Sequence, residues 1–230
     1  MKKTVNITFY TKENEQLVQL FSPDTMNKFI PDWFKNLKNV PGMTMNNCPG
    51  FVDFLQSSIA IPLWSDFHIT YDKETITNVV CPAAHDHIMG HDQLQQHDKQ
   101  QWNNAYKNCC HVKLMSPWLA KCDTNIDFMM HDNTWHKEKQ MGEYTLVPGI
   151  LNFTYQPATA INMFLSPTEK PKTLTLEAGE PIAYLTPLGD VKLKVKTELV
   201  SHERWNQMLR HRFTFTNIMP KIKKFIMRRK

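Results

Sequence analysis

The sequence predicts a mainly β (α+β) fold, a sandwich with short N-terminal helices and a basic C-terminal helix. After residue 110, short apolar strands recur about every ten residues between polar or proline-containing turns, which is typical of a sandwich or a barrel. The 230 residues are 41% hydrophobic, which is enough for the core of one large domain. The third observation is that the charge changes along the chain: residues 190–230 are strongly basic.

Residues 1–110 are predicted to form strands and short helices that pack on the sandwich core. Alternation of apolar and polar residues indicates the strands, most clearly where Phe67, Ile69 and Tyr71 alternate with polar neighbours. Pro31 suits the first position of a short helix. The predicted strands are 5–10, 16–21 and 59–75, and the predicted helices are 29–38 and 48–58.

The segment 81–110 has a different composition, polar and rich in His and Gln, and it is predicted to be irregular with one helix around 92–106. The sandwich core is assigned to 111–200. Its predicted strands lie in 111–122, 125–132, 144–155, 159–166, 172–188 and 191–200.

The last strand of the core and the segment after it carry most of the basic side chains. In VKLKVKTELV (191–200), apolar residues face one way and Lys192, Lys194 and Lys196 face the other, which suits an edge strand with one wet face. Ser201 can cap the helix that follows. Residues 201–230 are predicted to be a basic helical segment, amphipathic over 217–230.

The charge distribution predicts a binding partner for this segment. From residue 190 onward there are twelve Lys and Arg against three Asp and Glu, a balance of +9, so within a net charge of +5 the chain before residue 190 carries −4. Such a segment can bind nucleic acid, an anionic membrane surface or an acidic patch on another protein. The predicted contact residues are Lys221, Lys223, Lys224, Phe225, Arg228 and Arg229.

Several classes of protein are disfavoured. The N-terminus lacks the apolar run of a signal peptide, and no run approaches the roughly 18 apolar residues of a membrane span. The five cysteines are odd in number and form no C-x-x-C motif, which predicts reduced thiols. A soluble, intracellular protein is expected.

A metal site is predicted in the His-rich segment. His85, His87 and His91 form an H-x-H-x3-H pattern, and imidazole is a good ligand for zinc or iron. His131 or His136 could complete a cupin-like site. A polar surface loop explains the same residues without a metal. Further candidate ligands in the same stretch are Asp86, Asp92, His97, Cys109, Cys110 and His111.

Two short patterns resemble the dUTPase and dCTP-deaminase superfamily of β-clip folds. PGILNFTY (148–155) resembles that family's Gly-Val-Ile-Asp-x-x-Tyr segment, and GEPIAYL (179–185) resembles its later Gly-Asp-Arg-Ile-Ala-Gln-Leu strand. The resemblance implies a β-clip or jelly-roll-like core. It also implies a nucleotide site, but Asn152 stands where the family has its catalytic Asp, and Pro181 where it has Arg.

A second resemblance covers most of residues 28–205. Five segments together resemble a group of uncharacterised proteins of tailed bacteriophages, especially T4-like phages of marine bacteria: IPDWFK, CPGFVDFLQSSIAIPLWSDFHI, VKLMSPWLAKC, PGILNFTYQP and AGEPIAYLTPL. The resemblance implies a phage origin and a β-rich fold, located in the virion or the host cytoplasm.

The sequence therefore favours a non-catalytic bacteriophage protein that acts by binding, either a virion component or a host-interaction factor. Its expected partners are other phage or host proteins, nucleic acid through the basic C-terminus, or further copies of itself. The alternative is an enzyme, either a metal-dependent, cupin-like oxygenase or a divergent nucleotide hydrolase.

Overall fold

The structure is a computed structural model that describes residues 2–37, 44–73, 75–81, 87–88, 91–103, 105–106 and 108–210; at residues 87, 88, 91, 92 and 210 it describes the backbone. It confirms a mainly β (α+β) fold in which several sheets pack together with a few short helices. The predicted helix over 217–230 lies outside the described residues.

Seventeen strands and four α-helices are described. The strands are β1 (Lys3–Thr11), β2 (Asp24–Thr25), β3 (Ile59–Pro62), β4 (Phe67–Asp72), β5 (Thr75–Val80), β6 (His87–Ile88), β7 (His91–Asp92), β8 (Leu94–Gln96), β9 (Cys110–Leu114), β10 (Leu119–Cys122), β11 (Phe128–Asp132), β12 (Tyr144–Leu146), β13 (Gly149–Leu151), β14 (Ile161–Leu165), β15 (Lys172–Leu176), β16 (Pro181–Pro187) and β17 (Val191–Leu199). The helices are α1 (Glu15–Phe21), α2 (Asp32–Lys35), α3 (Pro49–Ser57) and α4 (His202–Arg210).

The strands form four sheets and one two-stranded ribbon within the described part of the chain. The sheets run β10-β1-β17, β13-β11-β16-β3-β2, β12-β14-β9-β8 and β15-β4-β5, and β6 pairs with β7. Strands from the N-terminal half share sheets with later strands, as β3 does with β16. The pairing is antiparallel except between β1 and β17, which run parallel from Lys3 opposite Val191 to Thr11 opposite Leu199.

One main core lies between the sheets and follows from the period-two alternation of each strand. On β1, Val5, Ile7 and Phe9 are fully buried while the residues between them face outward. Burying each such side chain stabilises the fold by about 1.5–3 kcal/mol. Two smaller apolar clusters lie under α3 and under α4, the latter centred on Trp205.

Two predicted elements were wrong. Residues 16–21 form α1 and not a strand, because the side chain of Asn14 accepts a hydrogen bond of 2.7 Å from the Leu17 amide and caps the helix. The helix predicted around 92–106 is replaced by β7, β8 and a short 3-10 helix at Lys99–Trp102, since β8 pairs with β9. In addition, the strand predicted over 59–75 is divided into β3 and β4.

The Gly-Glu-Pro step before β16 is a tight turn. Gly179 has a φ of +85°, a region that favours glycine. The turn is bonded to the segment between β3 and β4, because the Gly179 amide donates to the Leu63 carbonyl and the Leu63 amide donates to the Glu180 carbonyl. The Ala178 amide also donates to the Asp66 carboxylate at 2.8 Å. The turn therefore holds two sheets in register.

None of the described helices is both long enough and apolar enough to span a membrane.

Candidate functional site

Most of the residues predicted to bind a metal or a partner lie outside the part of the chain whose side chains are described. His85 and the C-terminal contact residues are not described, and His87 and His91 are described as backbone only. In the β6–β7 ribbon, His87 is opposite Asp92 and His91 is opposite Ile88, so the two histidines are not cross-strand partners. Across the described residues, no group of three or more His, Cys, Asp or Glu is placed to hold a metal ion.

The structure does bring together two later histidines of the same stretch, His97 and His111. Their rings stack with centroids 4.4 Å apart and an angle of 16° between their planes. The antiparallel pairing of β8 with β9 causes this contact, because the His97 amide donates to the His111 carbonyl at the end of the pair. Trp102 and Phe164 surround the His111 ring, and together with Tyr106 these rings enclose a cavity of about 10 Å³.

One hydrogen bond, to Nδ1, determines the tautomer of His111; its Nε2 has no hydrogen-bond partner among the described residues. The Trp102 indole is a donor only, and its Nε1 lies 2.8 Å from Nδ1 of His111, so Nδ1 accepts and the proton of the neutral ring is on Nε2. Burial, and secondarily the neighbouring His97, lowers the pKa of His111 to about 4. A metal-binding histidine usually donates from its other ring nitrogen to an acceptor. This arrangement is the reverse, and it argues against a metal at His111.

Cys110 and His111 lie on opposite faces of β9, because adjacent residues of a strand point to opposite faces. Cys110 is buried in the main core, where burial raises the pKa of its thiol to about 11. Such a thiol is protonated at neutral pH and is a poor nucleophile. The pair therefore does not form a thiol–imidazole site.

His131 and His136 lie in a different cluster, beside α3. Nε2 of His131 is 2.9 Å from the Thr186 hydroxyl. Both ring nitrogens of His136 are already hydrogen-bonded, one to the Tyr184 hydroxyl and the other to the Phe29 carbonyl. Burial lowers the pKa of both histidines. These contacts join β11 and the segment after it to β16 and to the segment before α2. Because both ring nitrogens of His136 are engaged, neither is available to bind a metal.

Asn152 has a structural role at the position where the dUTPase-like pattern has its acid. Its amide nitrogen donates to Asn125 Oδ1 and to Asp127 Oδ1, each at 2.8 Å. Its oxygen accepts from the Thr154 amide at 3.1 Å. With its donors and acceptor engaged, Asn152 holds the turn after β13 against the segment between β10 and β11.

The sheet β10-β1-β17 presents a basic face to solvent. The register places Thr4 beside Lys192, Asn6 beside Lys194, and Thr8 between Lys196 and Lys121. All four lysines are exposed, while the opposite side of the sheet enters the main core. We call this surface the lysine face; it consists of Thr4, Asn6, Thr8, Lys121, Lys192, Lys194 and Lys196.

The four lysines of this face have no carboxylate within 4.0 Å among the described residues, whereas five other surface lysines do: Lys2, Lys28, Lys35, Lys139 and Lys172. Along β17 their Cα atoms recur about every 6.6–6.8 Å. Of the acids nearby, Glu198 is exposed on the same face of β17, two residues after Lys196, and Asp190 pairs with Lys2 at 2.8 Å. Asp123 is bonded to the side chain and amide of Asn6, and these bonds lower the pKa of its carboxyl. The face therefore carries a net positive charge.

Helix α4 covers one end of the same side of the sheet. Trp205 is fully buried there against Leu119, beside Tyr10 of β1. The Ser201 side chain accepts from the Arg204 amide at 3.3 Å, which confirms the predicted cap. The apolar end of the sheet is thereby sealed, and the open remainder is the lysine face. Beyond Arg210, the sequence adds seven Lys and Arg and no Asp or Glu.

Sequence alternation identified the three lysines of β17, but it missed Lys121 as their neighbour. Lys121 joins them only through the order β10-β1-β17, in which β1 lies between two strands that are far from it and from each other in the chain.

No family model matches the chain, and no curated protein or solved structure is found to be similar to it.

Proposed function

We propose that the protein is non-catalytic and acts by binding an anionic macromolecule on the lysine face. The observation that carries the proposal is the concentration of four exposed lysines, without carboxylate partners among the described residues, on one side of one sheet. Following the sequence resemblance, we place this activity in a bacteriophage protein, as a virion component or a host-interaction factor. Its partner is then another phage or host molecule.

Electrostatics supports the proposal. Lys192, Lys194 and Lys196 lie on one face at about 6.6–6.8 Å intervals, so their ammonium groups repel one another. An anionic partner removes this repulsion and gains three charge pairs. The electrostatic energy of the lysine face is therefore lower when an anion is bound than in the isolated folded chain.

Protection of a sheet edge is the competing explanation, because lysines on edge strands discourage pairing with other chains. Edge protection does not require the lysines to lack acidic neighbours. Elsewhere on the described surface several lysines are paired with acids, as Lys35 is with Asp32 at 2.9 Å and Lys172 is with Glu143 at 3.0 Å, while single exposed lysines such as Lys73 and Lys170 are not. The lysine face differs because it gathers four such lysines on one side of one sheet, which supports a binding role.

Retention on immobilised heparin tests the proposal. The face variant changes Lys121, Lys192, Lys194 and Lys196 to Gln. The control variant makes the same change in net charge at four lysines that have acidic partners, Lys28, Lys35, Lys139 and Lys172. We expect the face variant to elute at lower salt than the control variant, and equal elution would overturn the proposal. Exposed substitutions of this kind change stability by about 0.5 kcal/mol or less, so both variants should fold.

A further inference from the structure

We infer that the partner of the lysine face is nucleic acid, contacted through its sugar–phosphate backbone without reading its sequence. This inference rests on the proposed function and adds the chemical class of the partner. It follows from which side chains the face contains, from which it lacks, and from its dimensions.

The side chains on the face are those that contact phosphates. Lysine, threonine and asparagine all bond to phosphate or sugar oxygens in complexes with nucleic acids. Thr4, Asn6 and Thr8 form the central row of the sheet between the lysines of β17 and Lys121. The hydroxyls of Thr4 and Thr8 thus lie between the charges, whereas the side chain of Asn6 is bonded to Asp123.

The seven residues of the lysine face include no arginine and no aromatic ring. Base recognition uses Arg or Lys on guanine, Asn or Gln on adenine, or aromatic rings on which bases stack, so lysine is the main group here that could reach a base edge. The aromatic side chain of β1 on this side is Tyr10, and it packs in the cluster around Trp205 under α4. Asn6 is bonded to Asp123. Binding should therefore be independent of sequence.

The same composition argues against an acidic protein as the partner. Specific protein interfaces have a core of apolar and aromatic side chains, and lysine is depleted from that core. The apolar side chains on this side of the sheet, including Leu119, are sealed under α4. The lysine face that remains open to solvent is polar and basic. A sugar–phosphate backbone complements this charge better than the surface of an acidic protein does.

The size of the face sets the expected number of phosphate contacts. From Lys192 to Lys196 the strand rises about 13 Å, and the two strand spacings to Lys121 add a width of about 10 Å. A surface of this size accommodates one contact for each lysine, so about four phosphates should be bound.

Fluorescence anisotropy on the full chain tests the inference. The probes are two labelled duplexes of about 20 base pairs with unrelated sequences, a single strand of the same length, and a labelled polyglutamate peptide, at about 50 mM salt. We expect the two duplexes to bind with equal affinity and more tightly than polyglutamate. The face variant should weaken binding of both duplexes equally, and the control variant should bind like the wild type.

Each alternative outcome has a distinct meaning. If the face variant weakens polyglutamate binding and the duplexes do not bind, the partner is an acidic protein, and the inference fails while the proposed function stands. A preference for one duplex sequence contradicts backbone recognition. If the face variant binds every probe as the control variant does, both the inference and the proposed function are overturned. Comparison of the duplex with the single strand shows which form of nucleic acid is bound.

Discussion

The indole Nε1–H of Trp102 donates a hydrogen bond of 2.8 Å to Nδ1 of His111. The two residues are nine positions apart, and the contact holds the 3-10 helix at Lys99–Trp102 over strand β9. It fixes the tautomer of His111, while burial of the ring, which is 6% exposed, lowers the pKa and keeps the ring neutral.

The tautomer gives the first prediction. Long-range 1H–15N spectra of the imidazoles at neutral pH should show His111 protonated on Nε2, because Nδ1 accepts from Trp102. Added Zn²⁺ should leave the signals of His111 unchanged. His202 is exposed on α4 and provides an internal reference for a histidine in solvent. A proton on Nδ1, or a zinc-dependent shift of His111 with the fold intact, would show that the ring is available as a ligand.

The second prediction concerns acid. The unfolded chain binds a proton at each histidine near pH 6.5, whereas the pKa of folded His111 is lowered to about 4. Between these values the unfolded state binds more protons, so the free energy of unfolding should fall as pH falls from 6.5 to 4. Burial also lowers the pKa of His131 and of His136, which adds to the same trend.

Urea denaturation at several pH values measures this dependence. His111→Gln removes the titrating ring but keeps an oxygen that can accept from Trp102, so its unfolding free energy should depend less on pH than that of the wild type. His202→Gln is the control and should follow the wild type. Parallel curves for His111→Gln and the wild type would mean that His111 does not contribute.

The third prediction concerns the turn before β16. Gly179→Ala should destabilise the protein by about 1–2 kcal/mol, because its φ of +85° is unfavourable for a residue with a Cβ. The added Cβ would lie 3.7 Å from the Phe21 ring, an ordinary contact, so the loss is conformational. Gly149→Ala is the matched control, since its φ is not positive and a Cβ added there would have no atom within 4 Å. Equal unfolding free energies for the two variants would refute this account of the turn.

The fourth prediction concerns the cover over the apolar end of the lysine-bearing sheet. Trp205 is fully buried, yet its indole nitrogen has no hydrogen-bond partner among the described residues. Trp205→Ala should reduce stability by about 3–5 kcal/mol through the lost contacts with Leu119 and Ala158. Trp205→Phe keeps much of the volume and removes the unpartnered N–H, so its loss should be about 1.5 kcal/mol or less. Thermal or urea unfolding measures the loss of stability in each variant. Equal losses would show that the indole nitrogen, and not the packing of the ring, stabilises this contact.

Local patterns predicted much of the fold. Period-two alternation identified β1, β4 and β17, with the correct faces for β4 and β17, and Ser201 marked the start of α4. The failure at 16–21 has a local cause, since Gln-Leu-Val-Gln-Leu-Phe suits either a strand or a helix, and the Asn14 cap decides for the helix. The failure around 92–106 has a distant cause, because β8 gains its hydrogen bonds from β9.

The functional surfaces depended on pairings that no local pattern reveals. His97 contacts His111 because β8 pairs with β9; the sequence named both as candidate ligands but offered no reason to pair them with each other. The lysines of β17 were evident from alternation, but their union with Lys121 required parallel pairing of β1, at the start of the chain, with a strand that begins at Val191. The predicted metal ligands His85, His87 and His91, and the basic residues of 217–230, stay predictions.

The salt dependence of duplex binding tests the central claim most directly. Each phosphate neutralised by a lysine contributes about 0.9 to the slope of log affinity against log salt for duplex DNA, so four contacts contribute about 3.6. The account predicts that the face variant has a slope shallower than that of the wild type by about 3–4, and that the control variant keeps the wild-type slope. Identical slopes for the face and control variants would contradict the assignment of the lysine face as the binding surface.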